Sequence, residues 1–379
     1  MKELKFNGNK MIIGPGSLEA ITGLVGQRIF IVTGHTSMFE NGTIDQIEVL
    51  LKKDNRAYKV YSDISKNPTK EAILEGTAVM KAFEPDTVLA VGGGSAIDTA
   101  KVMAVLVDQP GLTIEDLKAG KGPQQRSQIA LIAIPSTSGT ASEVTRAAVV
   151  TFPEDQLKSG VKTTAFIPDY AILDGNLTLS MPKNVVAETG MDALTHAIES
   201  YINKNNDDFC KMISKGAVEG LIRYLPSSYE QGDLDSRQHV HNFQSFAGMA
   251  FQNSGLGMDH GISHALGGLY NYGHGLLNAI GLPYVLEYNQ RDPQVKQDLA
   301  ELSRIIQKDI IQTVKDLNRL MGLPTSFQAL GLEESRFLGD YPMLIENALK
   351  GSTIRNPVPM DAETMGQVLR SIYYGKVEF

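Results

Sequence analysis

The chain is poor in cysteine, in long apolar runs and in clustered positive charge, and each shortage removes a class of protein. Cys210 is the one cysteine among 379 residues, so an internal disulfide framework is excluded and a reducing compartment suits the chain. No stretch approaches the roughly 18–20 uninterrupted apolar residues of a membrane span. The start, Met1-Lys-Glu-Leu-Lys-Phe6, carries charges but no apolar segment of the secretory kind. These features lead us to expect a soluble, cytoplasmic protein with no membrane partner. The net charge is −8 and no Lys/Arg-rich run occurs, which argues against a nucleic-acid partner held through its phosphates. Repeats and low-complexity tracts are missing too. At this length the chain has material for two or three domains with real cores.

The first half alternates between two hydrophobic periods. Arg28-Ile-Phe-Ile-Val-Thr33, Tyr58-Lys-Val-Tyr61, Thr87-Val-Leu-Ala-Val91 and Ile129-Ala-Leu-Ile-Ala-Ile134 are short, β-branched and apolar, as buried strands are. Helical spacing separates them over 44–53, 70–83 (with Thr69 as N-cap) and 96–107. Strand–helix alternation of this kind predicts a mostly parallel sheet covered by helices. Near residues 172–182 the character changes. Helical spacing then dominates, over 193–202, 209–224, 243–251, 298–321 and 362–373, and strand signals nearly vanish. The expected architecture is an α/β domain over 1–178 followed by an all-helical domain over 179–379.

Histidine and aspartate concentrate in that second half. Four of the seven histidines fall in two windows: Gly190-Met-Asp-Ala-Leu-Thr-His196, and Gly255-Leu-Gly-Met-Asp-His260-Gly-Ile-Ser-His264 continuing to His274-Gly275. Asp192 and His196 are four apart and share a helix face, as do His260 and His264. Any one such pair is commonly a surface or satisfied core pair. Two pairs plus His274, in glycine-flanked apolar surroundings, point to a metal site. Imidazoles with one carboxylate suit zinc or iron better than magnesium or calcium, and three or four protein ligands with one open position is a catalytic arrangement. On spacing alone His260 and His264 are equally eligible. His239 and His241 sit in a polar stretch and read as surface residues. Phe251, nine before His260, lines a pocket or fills the core.

Two loops in the first half read as a nucleotide site. Val91-Gly-Gly-Gly-Ser-Ala-Ile-Asp-Thr-Ala-Lys101 joins a strand to a helix, where glycines admit a diphosphate to backbone N–H groups and the helix dipole favours negative charge. It departs from the dinucleotide fingerprint, since Ile97 occupies the third glycine position, and it lacks the Gly-Lys-Ser/Thr of a P-loop. Pro135-Ser-Thr-Ser-Gly-Thr-Ala-Ser-Glu143 follows the next strand and offers several hydroxyls. Open α/β sheets bind ligands at such neighbouring strand ends.

Further segments extend the pattern: Asn67-Pro-Thr69, Asp98 and Lys101 after the glycines, Pro168-Asp-Tyr-Ala-Ile-Leu-Asp174, Glu199 after His196, and His274-Gly-x-x-Asn278-Ala. Taken together, and over nearly the whole chain, these motifs resemble the iron-containing (group III) alcohol dehydrogenase family. The resemblance implies a Rossmann-like parallel-sheet domain plus an all-α domain, the architecture shared with dehydroquinate synthase. It implies that Asp192, His196, His260 and His274 bind the metal, usually Fe2+ with Zn2+ in some members. His264 then stands beside the site as a candidate for proton relay or substrate orientation. It also implies NAD or NADP binding by Gly93, Gly94, Ser95 and Asp98, by Thr137, Ser138 and Thr140 of the second loop, and by Asn67. A lysine before the Pro168 segment, Lys158 or its rival Lys162, would contact the nicotinamide ribose.

One departure bears on the cofactor. NADH-using members tend to end the first strand with Val-Thr-Asp, whereas this chain reads Val32-Thr33-Gly34-His35-Thr36-Ser37. With Gly34 in place of a carboxylate and with His35, Thr36 and Ser37 as donors, NADP(H) is expected over NAD(H). The implied reaction is hydride transfer between nicotinamide C4 and a small primary alcohol or aldehyde whose oxygen is on the metal in an interdomain cleft. A homodimer is the family expectation. The alternatives are a glycerol-dehydrogenase-like enzyme, which lacks the histidine four after the aspartate, a dehydroquinate-synthase-like lyase, which has a different ligand set, and a catalytically silent cofactor-binding protein.

Overall fold

The computed structural model describes residues 3–64, 67–152 and 157–379, without the side chains of 157–159. It divides into two compact units, one of Met1–Met181 with Asp233–Ser245, the other of Pro182–Gly232 with Phe246–Phe379.

In the first unit the order is β1 (Lys10–Ile13), β2 (Arg28–Thr33), α1 (Ser37–Glu40), α2 (Thr43–Lys53), β3 (Ala57–Tyr61), α3 (Lys70–Phe83), β4 (Thr87–Gly92), α4 (Gly94–Asp108), α5 (Ile114–Lys118), β5 (Ala130–Pro135), β6 (Ala147–Phe152), β7 (Leu157–Lys162) and β8 (Tyr170–Leu173). Six strands form one sheet in the order β1-β8-β5-β4-β2-β3, and every pairing in it is parallel. The α/β expectation is therefore met. The strands read as unbroken apolar runs because both faces are covered. Alternate residues point to opposite sides. Phe30, Val32, Val88, Ala90, Leu131 and Ala133 pack into one core with α3 and α4. Ile29, Ile31, Leu89, Val91, Ile132 and Ile134 pack into the other with α2. The edge strands β1 and β3 are partly exposed.

The strand order reverses beside β2. From β2 the chain crosses to β3 on one side, then returns to β4 on the other and moves on to β5. That reversal puts Gly34, after β2, next to the glycine turn after β4, the position where open α/β sheets take ligands. Four of the six strands match the sequence expectation within a residue. The four-residue β1 and β8 carry no comparable run; β6 does (Ala-Ala-Val-Val-Thr-Phe), but it pairs with β7 in an antiparallel hairpin outside the sheet and was not among the expected strands.

The second unit is helical: α6 (Lys183–Tyr201), α7 (Asp208–Glu230), the later part of α8 (Leu234–Ser254), α9 (Met258–Tyr270), α10 (His274–Asn289), α11 (Pro293–Ile306), α12 (Ile310–Leu320), α13 (Glu334–Ala348) and α14 (Ala362–Tyr374). Residues of α8 up to Ser245 group with the first unit. Its core gathers α9, α10, α13 and α14 around Phe327, Phe337 and Tyr373. The single helix expected over 298–321 is two helices. Gln307 turns left-handed at φ 56°, Asp309 caps α12 by accepting from the Gln312 N–H, and Ser303 Oγ accepts the Ile310 N–H at 3.0 Å. Among the described residues no helix is long and apolar enough to cross a membrane.

Candidate functional site

Three helices of the second unit bring the histidine windows together. On α6, Asp192, His196 and Glu199 fall at i, i+4 and i+7, one stripe of one face. His260 sits in the first turn of α9, and His274 is the first helical residue of α10, after Gly273 as N-cap. Gly275 lets α10 close on α6, because a side-chain carbon at 275 would strike the Glu188 carbonyl.

One donor atom each from Asp192, His196, His260 and His274 lies within 4.8 Å of the others. Asp192 Oδ1 is 3.9 Å from His196 Nε2, 3.9 Å from His260 Nε2 and 3.6 Å from His274 Nε2. Edges of a tetrahedron with ~2.1 Å bonds measure roughly 3.4 Å, so a transition-metal ion fits with a slight contraction. The far sides of two of the three imidazoles are engaged. His260 Nδ1 bonds Glu199 Oε2 at 2.6 Å, and His274 Nδ1 meets Ser263 Oγ at 3.3 Å. Both Nε2 atoms are thus aimed at Asp192, as metal-binding histidines are when outer partners fix the ring. The His196 ring is stacked between Phe251, at 4.4 Å, and His260, at 4.5 Å.

The electrostatics suit a cation. Burial opposes the Asp192 charge, but His196, His274, His260 and the Asn278 amide outweigh it and hold the carboxyl below its usual range. Burial, helped by the neighbouring histidines, keeps His260 well below its usual value, hence in the neutral form that ligates. Burial raises Glu199 to about 7. Asn278 Nδ2 donates to Asp192 Oδ1 at 2.7 Å. His264 is outside the four-donor cluster. Its ring stacks on His274 at 5.0 Å and stands edge-on to His260 at 6.1 Å, so the i,i+4 histidine pair does not act as a chelating pair.

The sequence motifs contained Glu199 and Asn278 without a role for either. The spacing of Glu199, three after His196, puts it on the ligand face and was the available signal. Phe251 lies against a candidate ligand.

In the first unit the two polar loops touch. A side-chain carbon at Gly93 would lie 3.5 Å from Thr137, and one at Gly94 would lie 2.8 Å from Thr140. The helix α4 starts at the glycine turn with no side chain capping it. Ser95, Asn67, Thr137 and Thr140 are half-buried, and Asn67-Pro-Thr69 runs beside β6 through the Thr69–Thr151 bridge. Two expected contacts point elsewhere. Asp98 is bound internally, accepting from Ser142 Oγ at 2.5 Å and the Val149 N–H at 2.8 Å, and Ser138 Oγ bonds His241 Nδ1 at 2.9 Å.

His241, read as a surface residue, is fully buried. The polar stretch around it is one side of a helix whose other side is packed. His239 remains partly exposed. The absence of a carboxylate near Gly34 also fails in space: Asp63, after β3, stands 3.4 Å from His35 Nε2. Lys162 is exposed in β7. Lys158 is in the same strand, paired with Thr151, and its side chain lies outside the described residues.

The chain matches two family models end to end: iron-containing alcohol dehydrogenase over residues 8–175, and the C-terminal region of the Fe-containing alcohol dehydrogenase family over 186–373. It is 35% identical to an NADPH-dependent butanol dehydrogenase of Clostridium saccharobutylicum, over 97% of each chain. It is 34% identical to a 1-propanol dehydrogenase of Salmonella typhimurium, over 96% of this chain and 98% of the relative. Among solved structures, an iron-containing alcohol dehydrogenase from Thermococcus thioreducens superposes with a TM-score of 0.90 at 32% identity, covering 99% of this chain and all of the other.

Proposed function

Because this chain belongs to the iron-containing alcohol dehydrogenase family, we propose that it interconverts small primary alcohols and aldehydes with NADP(H), using Fe2+ or Zn2+ held by Asp192, His196, His260 and His274. The observation that carries this reading is the convergence of three imidazole Nε2 atoms on one buried carboxylate. Three nitrogens and one oxygen form a donor set for such a metal, with room for a further ligand.

Bound there, the metal supplies Lewis acidity toward a substrate oxygen, and the nicotinamide carries the hydride. The rest falls to the chain. Glu199 takes the Nδ1 proton of His260 as a hydrogen bond and keeps the Nε2 lone pair facing inward. Asn278 fixes the Asp192 carboxylate. Phe251 and His260 clamp the His196 ring. His264, stacked beside His274, is placed to hold or pass the hydroxyl proton at a ring nitrogen. Gly93, Gly94 and Ser95 offer backbone at the N-terminus of α4 to a diphosphate, with Thr137 and Thr140 alongside, and the lysine of β7 is assigned to the ribose.

Two facts support NADP(H): Gly34 stands where a carboxylate would hold a ribose 2′-hydroxyl, and the Clostridium relative is NADPH-dependent. Asp63 works against it, so the preference is expected to be moderate. The test is oxidation of NADPH and NADH with propanal and butanal, using protein reconstituted anaerobically with Fe2+, with and without chelator. Chelator-sensitive turnover with a higher kcat/KM for NADPH is expected. Equal or better kcat/KM with NADH removes the cofactor preference, and no turnover despite bound metal and nucleotide removes the dehydrogenase reading.

A further inference from the structure

We propose that His241 and Gln244, one helical turn apart on α8, are positioning residues for the nucleotide cradle, locking the 136–141 loop against the glycine turn. The proposal rests on the reading of those loops as the nucleotide site.

Both side chains are fully buried, and their segment of α8 belongs to the same compact unit as the loop. His241 Nδ1 bonds Ser138 Oγ at 2.9 Å. Gln244 Oε1 accepts the Ala141 N–H at 2.8 Å. Gln244 Nε2 donates to Glu143 Oε1 at 2.7 Å, and Ser245 Oγ donates to the same carboxylate. The loop and the turn after it therefore meet α8 at three points: 138, 141 and 143.

The middle point is the informative one. Ala141 is left-handed at φ 52°, a conformation that a residue with a Cβ rarely holds unaided. A buried side-chain carbonyl aimed at its N–H holds it there. Ser142, next in the chain, is fixed from the other side by Asp98 of α4. Thr140, between these anchors, stands so close to Gly94 that a side-chain carbon there would lie 2.8 Å from it, and Thr137, just before Ser138, faces Gly93. The wall of the cradle thus takes its position from α8, and a shift of Ser138 or Ala141 moves the threonines relative to the diphosphate turn. Burial takes His241 down to about 4, so at neutral pH it is an uncharged partner for the serine hydroxyl.

The test exploits amide mimicry. An asparagine amide overlays histidine Nδ1, whereas a glutamine amide overlays Nε2. NADPH affinity is measured by fluorescence titration of metal-free protein, and KM values for NADPH and butanal on the reconstituted enzyme. His241→Ala and Gln244→Ala are expected to weaken NADPH binding about tenfold and to raise its KM to match, with KM for butanal and metal content unchanged. His241→Asn restores binding to within about twofold, and His241→Gln does not. Should His241→Ala fail to fold, Ser138→Ala removes the other end of the same bond and is expected to give the same loss. Wild-type affinity in His241→Ala and Gln244→Ala, or in Ser138→Ala, overturns the proposal, as does equal rescue by Asn and Gln. A wild type that binds neither NADPH nor NADH overturns the functional reading and this proposal with it.

Discussion

Each unit contains a buried cluster of acids and bases, and the two are built on opposite plans. In the first unit Lys101, fully buried, donates to the Ala147 carbonyl at 2.8 Å and to Thr145 Oγ1 at 3.3 Å, and lies 3.7 Å from Asp98. Asp98 accepts at both oxygens, and Glu143 accepts from Gln244 and Ser245. Donors and acceptors balance, so the cluster needs nothing from outside. In the second unit Asp192 Oδ1 faces three Nε2 atoms at 3.6–3.9 Å, while the protons of His260 and His274 are drawn to Glu199 and Ser263 on the far side. The Asn278 amide reaches in, to Asp192 Oδ1 at 2.7 Å and to the Nε2 atoms of His260 and His274 at 3.2 Å each, so its two hydrogens are shared among three acceptors. Such an arrangement is costly in a buried site unless a cation stands among the lone pairs. A buried polar cluster is thus read as structure or as a ligand site by whether its donors and acceptors balance, rather than by its composition.

The largest effect is expected from breaking the open cluster. His274 is the most exposed of the four donors and begins α10, so His274→Ala leaves the helices intact. Metal content measured after purification should fall to a small fraction of the wild type, and kcat/KM should drop about 1,000-fold or more, roughly 4 kcal/mol. Stoichiometric metal with near-normal turnover would remove His274 from the donor set. The metal-free variant should be at least as stable as the metal-free wild type, since one of the opposed lone pairs is gone. The closed cluster should respond the other way. Lys101→Met keeps the shape of the stem but strands Asp98, and urea unfolding is expected to show a loss of about 3–5 kcal/mol. Metal binding should be unchanged. A neutral Lys101→Met would mean that the Asp98–Lys101 pair contributes nothing net to folding.

The same contrast governs what was legible in the sequence. Strands β2, β4 and β5 announced themselves because burial on both faces demands six-residue apolar runs. β1 and β8 are four residues long, and their pairing with each other rests on partners about 160 positions apart, which no local pattern reports. The four candidate ligands stood out because metal chemistry restricts residue type and helix geometry restricts spacing. Spacing alone kept His264 eligible; only the approach of α10 to α6 separates it from His274. His241 has polar neighbours, and a helix segment with one buried face looks the same as an exposed one in a short window. The His35–Asp63 contact joins the ends of two strands and was invisible for the same reason as β1–β8.

A smaller effect sharpens the comparison at the rim of the open cluster. Glu199 accepts from the Asp259 N–H at Oε1, 2.8 Å, and meets His260 Nδ1 at Oε2, 2.6 Å. Two acceptors are required at once. Glutamine has the same shape but a single acceptor oxygen, so Glu199→Gln must turn its NH2 either on the Asp259 amide or on the imidazole. All four donors stay in place, yet His260 loses the partner that fixes its tautomer. The expected result is a metal affinity weaker by about 10–100-fold, read by competition with a chelator of known affinity rather than by turnover, with Tm of the metal-free protein little changed. If affinity holds at the wild-type value, the orientation of His260 comes from its stacking on His196 at 4.5 Å, and the imbalance of lone pairs is set by packing instead of by the outer carboxylate.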